Sequence, residues 1–202
     1  MKRTIFSLLV VMAFVAGAPE KNGYEVGDLV TDFKLKNVDG KTVSLADWKD
    51  AKGFIVAFDC NTCPVSQKYN DRIKALSKKY AEQGFPLIAI NPNSPDVSSG
   101  ESFDEMVRVS KKKNYNFPYL FDESQEVIRQ YQPTNTPHVF VLVKSGSSLK
   151  VAYIGAIDDN ARDEAGVTKR YVEEAVDALL AGKSVSTTKT KAIGCSIKWK
   201  NS

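Results

Sequence analysis

The chain has 202 residues, of which 43% are hydrophobic, with 28 Lys and Arg against 24 Asp and Glu and a formal net charge of +4. That length suits one well-buried domain with appendages rather than two domains. The positive excess is too small and too evenly spread for a nucleic-acid footprint, and Lys2 and Arg3 alone supply two of the four charges, so nucleic acid is excluded as a partner.

In chain order, Met1-Lys2-Arg3, the apolar run 5–15 and Ala16-Gly17-Ala18 match the charged, apolar and small-residue zones of a secretory signal peptide, assigned here to residues 1–18. The apolar run is too short to span a bilayer. The expectation is an extracytoplasmic, periplasmic protein with no lasting membrane insertion once the leader is removed. In that compartment an odd count of three cysteines implies a thiol that is reactive or transiently paired.

Residues 33–36 and 41–43 flank Asn37-Val38-Asp39-Gly40, whose Asp-Gly predicts a hairpin turn. Trp48 reads as packing beneath the next strand, the apolar run 54–58. Val65, Tyr69, Ile73, Leu76 and Tyr80 then recur at helical spacing as far as residue 83, with Gly84 as a stop. A second buried strand is predicted over 86–91, a loop over 92–100, and a helix over 101–113 with Phe103, Met106 and Val107 facing inward. An extended piece follows at 117–121 and a short helix at 124–131. Thr134-Asn135-Thr136-Pro137-His138 leads into a strand at 139–143, which turns at 145–148 into its partner at 149–154. Residues 158–166 read as an acidic, exposed loop. The last helix is placed at 168–181, capped by Thr168 and ended by Gly182.

Strands alternating with helices predict an α/β fold with a central mixed sheet covered on both faces. The domain is drawn at 23–182, with a basic tail at 183–202 that carries Cys195 and has five lysines and no acid. Such a run is ordinarily a solvated extension, and attraction to Asp158, Asp159, Asp163 and Glu164 adds little to it. Ile193, Ile197 and Trp199 are the residues expected to dock it, holding Cys195 in place.

The chemistry concentrates at Cys60-Asn61-Thr62-Cys63, where strand gives way to helix. Unpaired amides and the positive end of the peptide dipole at a helix start favour a thiolate, the form that attacks disulfides and peroxides. Two intervening residues let both sulfurs face one end of the helix and store two electrons as a disulfide, with no cofactor. The same spacing forms half of many zinc sites, but no second Cys-x-x-Cys exists. The remaining metal alternative joins His138, the only histidine, to Cys60, Cys63 and Cys195.

The strand ending in Cys-x-x-Cys, the strand-helix-strand unit and the Thr-Pro before a late hairpin resemble the thioredoxin superfamily. Phe58-Asp59-Cys60-Asn61-Thr62-Cys63-Pro64, Phe117-Pro118-Tyr119-Leu120-Phe121-Asp122 and the ending Ile193-Gly194-Cys195-Ser196-Ile197-Lys198-Trp199-Lys200 resemble more narrowly its peroxiredoxin-like redoxin branch, the alkyl hydroperoxide reductase and thiol-specific antioxidant group. The resemblance implies a thioredoxin-like fold and a thiol-disulfide oxidoreductase, with Cys60 the exposed attacking thiolate and Cys63 the buried resolver. It places a cis bond at Pro137 and gives the backbone of Thr136 to an incoming peptide. Partners are then protein thiols and disulfides or a small thiol reductant. Cys195 is an auxiliary thiol at most.

The sequence departs from the superfamily at three places. Phe54 stands where thioredoxin has a buried acid, leaving Glu126 or a water as the proton acceptor. Asp59 replaces a tryptophan, and its charge opposes a Cys60 thiolate unless it points to solvent. Thr62 replaces a histidine of many relatives, which makes the couple more reducing. A peroxidase is the runner-up activity, weakened because the Thr/Ser and Pro that precede a peroxidatic cysteine are missing and no arginine neighbours Pro137.

Overall fold

The computed structural model describes residues 23–200; the expected signal peptide lies outside the described residues. Fourteen regular elements are named in chain order: β1 (Leu29–Val30), β2 (Lys34–Asn37), β3 (Thr42–Ser44), β4 (Gly53–Phe58), α1 (Pro64–Tyr80), β5 (Leu87–Asn91), α2 (Phe103–Lys113), β6 (Tyr119–Phe121), α3 (Glu126–Tyr131), β7 (Asn135–Thr136), β8 (His138–Ser145), β9 (Ser148–Gly155), α4 (Tyr171–Leu180) and β10 (Cys195–Ser196).

Eight strands form one sheet in the order β1-β9-β8-β4-β5-β6-β2-β3. β4, β5 and β6 run parallel, and the other pairings are antiparallel, so the sheet is mixed. β4 and β5 are buried along their whole length, which explains why they read as continuous apolar runs rather than alternating ones. The period-2 pleat nevertheless sorts their side chains. Ile55, Ala57, Leu87 and Ala89 face Tyr69, Ile73, Leu76 and Tyr80 of α1 and Val172, Ala175 and Val176 of α4. Phe54, Val56, Phe58, Ile88 and Ile90 face the other way, onto α3 and the N-terminal segment. Each fully buried aliphatic or Phe side chain contributes about 1.5–3 kcal/mol, so both layers hold β4 and its loop in place. Trp48 meets Phe54 edge-on with centroids 5.9 Å apart, the packing expected of it. Among the described residues, no helix is long and apolar enough to cross a membrane.

Four expectations are corrected. The helix predicted from residue 101 starts at Phe103, capped by the Ser102 hydroxyl, and Glu101 is withdrawn into the interior. The last helix starts at Tyr171, and the Thr168 hydroxyl donates to Asp159 instead of capping it. Asp158 leaves the exposed acidic loop to pair with Arg72 at 2.6 Å in the interior. Of the three apolar tail residues only Ile197 is buried; Ile193 and Trp199 are exposed, and Ala192 takes part in their place.

The tail is pinned along its length. Ile154 donates to Thr188 O and Thr190 donates to Ile154 O, each at 3.0 Å, and Ser94 donates to Lys198 O at 2.8 Å. Its lysines ignore the acidic loop, and Lys189 pairs with Glu25 at 2.6 Å.

Candidate functional site

The backbone amide of Asp59 donates to Ile90 O at 3.0 Å and carries the end of β4 one residue further. The chain then turns through Cys60, Asn61 and Thr62. Pro64 occupies the first position of α1, where a missing N–H costs nothing and its φ suits the helix. A proline forces the residue before it into extended backbone, and Cys63 has φ −68° and ψ 121°. Cys63 is therefore the N-cap residue of α1, and its carbonyl accepts from Gln67 N at 3.0 Å.

Glu101 fixes this turn from beneath. Its buried carboxylate accepts from the amides of Asn61 and Thr62 at 2.9 and 3.0 Å, from the Thr62 hydroxyl, and from Asn91 Nδ2 at 2.9 Å. Tyr119 donates to Asn61 Oδ1 at 3.0 Å, so the loop is held from both sides. Glu101 went unnoticed in the sequence because an acid two residues before a helix looks like ordinary first-turn chemistry. Its consequence is electrostatic: two amides that would otherwise stabilise an anion on the loop are already committed to a carboxylate.

The two sulfurs meet at Thr136. Cys60 Sγ lies 3.0 Å from Thr136 Oγ1, and the Cys63 thiol donates to Thr136 O at 3.3 Å. The Thr136–Pro137 peptide bond is cis. Cys60 is not the exposed residue expected: it is 4% accessible and Cys63 2%. Cys60 does form part of the wall of a cleft of about 410 Å³ with Asn61, Thr62, Gln67, Asn70 and Arg108, whereas Cys63 does not reach that cleft. Both cysteines are free thiols, and so is Cys195.

The pair shares a proton. The hydrogen bond with Cys63 pushes the Cys60 thiol far above its ordinary value, with burial and the charges of Glu101 and Asp59 acting the same way. The same bond holds Cys63 down to about 4, with smaller help from Cys195 and from the Ser66 amide. One proton leaves this pair readily and the second does not.

Asp59 does not point to solvent. It is 1% accessible, and burial raises it from 3.8 to about 7, against the opposing bond from the Ser66 hydroxyl. One of its oxygens has no hydrogen-bond partner. Ser66 Oγ also lies 3.9 Å from Cys60 Sγ, so this hydroxyl stands between the acid and Cys60. Glu126, the acid expected in this role, is exposed on α3.

His138 is spent elsewhere. Its Nδ1 accepts from Thr134 N at 3.1 Å, its ring packs 5.2 Å from Phe140, and burial pushes it down to about 4, leaving it neutral. Among the described residues no three His, Cys, Asp or Glu side chains converge on a metal position. The edge beside Thr136, expected to stand open, is occupied: β10 pairs with β7 antiparallel, Cys195 opposite Thr136 and Ser196 opposite Asn135.

Fold and site together define a thioredoxin-like thiol oxidoreductase. The AhpC/TSA family model matches residues 26–154, and the chain belongs to that family. A solved structure of a hypothetical protein from Sinorhizobium meliloti 1021 is 34% identical, covers 90% of this chain and 98% of its own, and has a TM-score of 0.81. The exposed lipoprotein thioredoxin of Streptococcus pneumoniae is 21% identical with a TM-score of 0.54, over 75% of this chain and 99% of that one, a likeness of fold alone. Among curated relatives, the thiol-disulfide oxidoreductase ResA of Halalkalibacterium halodurans is 24% identical over 153 residues, 76% of each chain.

Proposed function

We propose that this protein is an exported thiol-disulfide oxidoreductase that reduces disulfides of proteins or small thiols with its Cys60–Cys63 couple. The observation that carries the reading is the joint hold of Thr136 on both sulfurs. The one proton of the pair rests on Cys60; once it passes along the shared bond to Cys63, that thiol donates to Thr136 O while Cys60, as thiolate, accepts from the Thr136 hydroxyl. This arrangement leaves the anion on the sulfur that lines the cleft.

The Cys60 thiolate attacks one sulfur of a substrate disulfide, the substrate's other sulfur leaves as a thiolate, and a mixed disulfide forms. Cys63 then gives its proton to the Asp59 carboxylate and attacks Cys60 Sγ. The Cys60–Cys63 disulfide closes and the second substrate thiolate departs, so two electrons have passed from the protein to the substrate. Asp59, near 7, is matched to accept a proton at neutral pH and return it to water. An external thiol resets the couple. Export rests on the zones of residues 1–18 and on the need for oxidising surroundings in which disulfides persist.

A thiol peroxidase is the second reading, favoured by Arg108 in the wall of the same cleft as Cys60. Arg108 is bound to Glu105, which neutralises much of the charge a peroxide oxygen would use. Disulfide reduction and peroxide consumption measured side by side separate the two. Rapid disulfide reduction that vanishes in Cys60→Ser supports the proposal; peroxide turnover without it overturns the proposal.

A further inference from the structure

Given the Cys60–Cys63 couple proposed above, we infer that Cys195 is a third redox thiol: β10 sits as an internal substrate on the Thr136 edge, and Cys63 exchanges its disulfide between Cys60 and Cys195. Three observations meet here. The first is the pairing of Cys195 directly opposite Thr136, the residue that also holds both active sulfurs. The second is that Cys63 Sγ lies on Thr136 O while Cys195 pairs with the same residue, and the two thiols shift each other's ionisation, Cys195 lowering Cys63 and Cys63 raising Cys195, which makes Cys63 the middle sulfur of three. The third is Gly194: a Cβ there would stand 1.9 Å from Thr136 O and 2.6 Å from Thr136 C, so the strand approaches this closely only because that residue has no side chain. The Asn135 side chain donates to Gly194 O at 3.0 Å and fixes the register.

The strand is also anchored on both sides. Thr190 is tied to Ile154 upstream, and downstream Lys198 O accepts from Ser94 N while Lys198 N donates to Asn93 Oδ1. A docked tail with an idle cysteine needs neither this register nor this close approach.

The chemistry is an exchange with no net oxidation. In the oxidised chain, the Cys195 thiolate attacks Cys63 Sγ, the Cys63–Cys195 bond forms, and the Cys60–Cys63 bond breaks. Cys60 leaves as a thiolate and takes up the proton that Cys195 gave away. The result is a chain whose disulfide is stored beneath the tail while Cys60 is free again in the cleft wall.

The test equilibrates the full chain in a buffer of reduced and oxidised dithiothreitol, traps free thiols by alkylation and maps the linkages by mass spectrometry. The expected result is a Cys63–Cys195 linkage beside Cys60–Cys63 in the parent, and Cys63–Cys195 alone in Cys60→Ser. In Gly194→Ala, which lifts the strand, the Cys63–Cys195 fraction falls at least tenfold while Cys60–Cys63 persists. The inference is overturned if Cys60→Ser retains two free thiols under conditions that oxidise the parent, if the tail links to Cys60 instead, or if Gly194→Ala changes nothing. Absence of Cys60–Cys63 in Cys195→Ser sinks the underlying couple instead, so the two failures are distinguishable.

Discussion

Asp158 and Asp59 are both buried carboxylates, and they are buried in opposite ways. Asp158 meets the Arg72 guanidinium at 2.6 Å and the Tyr69 hydroxyl at 2.8 Å, so each oxygen has a partner and the charge is balanced. Asp59 has no cation beside it among the described residues, one oxygen has no partner, and the nearby thiols and Glu101 add negative charge. The first arrangement ties α1 to the loop after β9 and does nothing chemical. The second leaves a proton that is gained and lost near neutral pH, which is what the second exchange step needs.

Removing the cation is the largest perturbation of this contrast. Arg72→Ala turns Asp158 into an unpaired buried acid, and denaturant melts should show a loss of about 3–5 kcal/mol. A loss below 1 kcal/mol would mean that the pair is not buried as described.

Asp59→Asn should act in the opposite direction. The Asp59 pKa is raised on folding, so its stabilisation is complete below pH 3.8 and is lost as pH climbs to about 7. The full rise is worth on the order of 4 kcal/mol, so the parent should weaken across that window while Asp59→Asn does not, leaving the variant the more stable at pH 8. Activity should move the other way: the parent's disulfide-reduction rate rises as pH passes 7 and Asp59 ionises, whereas the variant lacks that rise and accumulates mixed disulfide. A more stable protein that exchanges more slowly would mark Asp59 as functional.

Thr136→Val keeps the shape and removes the hydroxyl 3.0 Å from Cys60 Sγ. A hydrogen bond to a charged group is worth about 1.5 kcal/mol at the low end, so alkylation of Cys60 by iodoacetamide should slow about 10-fold. Unchanged alkylation would remove Thr136 from the account. The smallest effect belongs to the exposed Lys189–Glu25 pair, where Lys189→Ala should change stability by less than about 0.5 kcal/mol.

The strand leading to Cys60 and the helix that Cys63 caps were legible because period and burial coincide there: β4 is apolar throughout and α1 keeps a clean inner stripe. Cys60, Cys63, Thr136 and Pro137 do come together, although Cys60, expected to be exposed, is as enclosed as Cys63. What escaped the sequence depends on contacts between distant segments. Glu101 reaches Asn61 across 40 residues and Cys195 reaches Thr136 across the domain, and neither leaves a local pattern. The direction of Asp59 was open in the sequence, and its position one step beyond β4 carries it inside. β1, β7 and β10, two residues each, are too short to show any alternation.

The central claim is that Cys60 is the sulfur that meets the substrate. Mixing reduced Cys63→Ser protein with one equivalent of a disulfide-bonded peptide and mapping the product by mass should yield a stable mixed disulfide on Cys60 alone. Capture of the peptide at Cys195, or no capture while the parent chain still reduces the peptide, would contradict it.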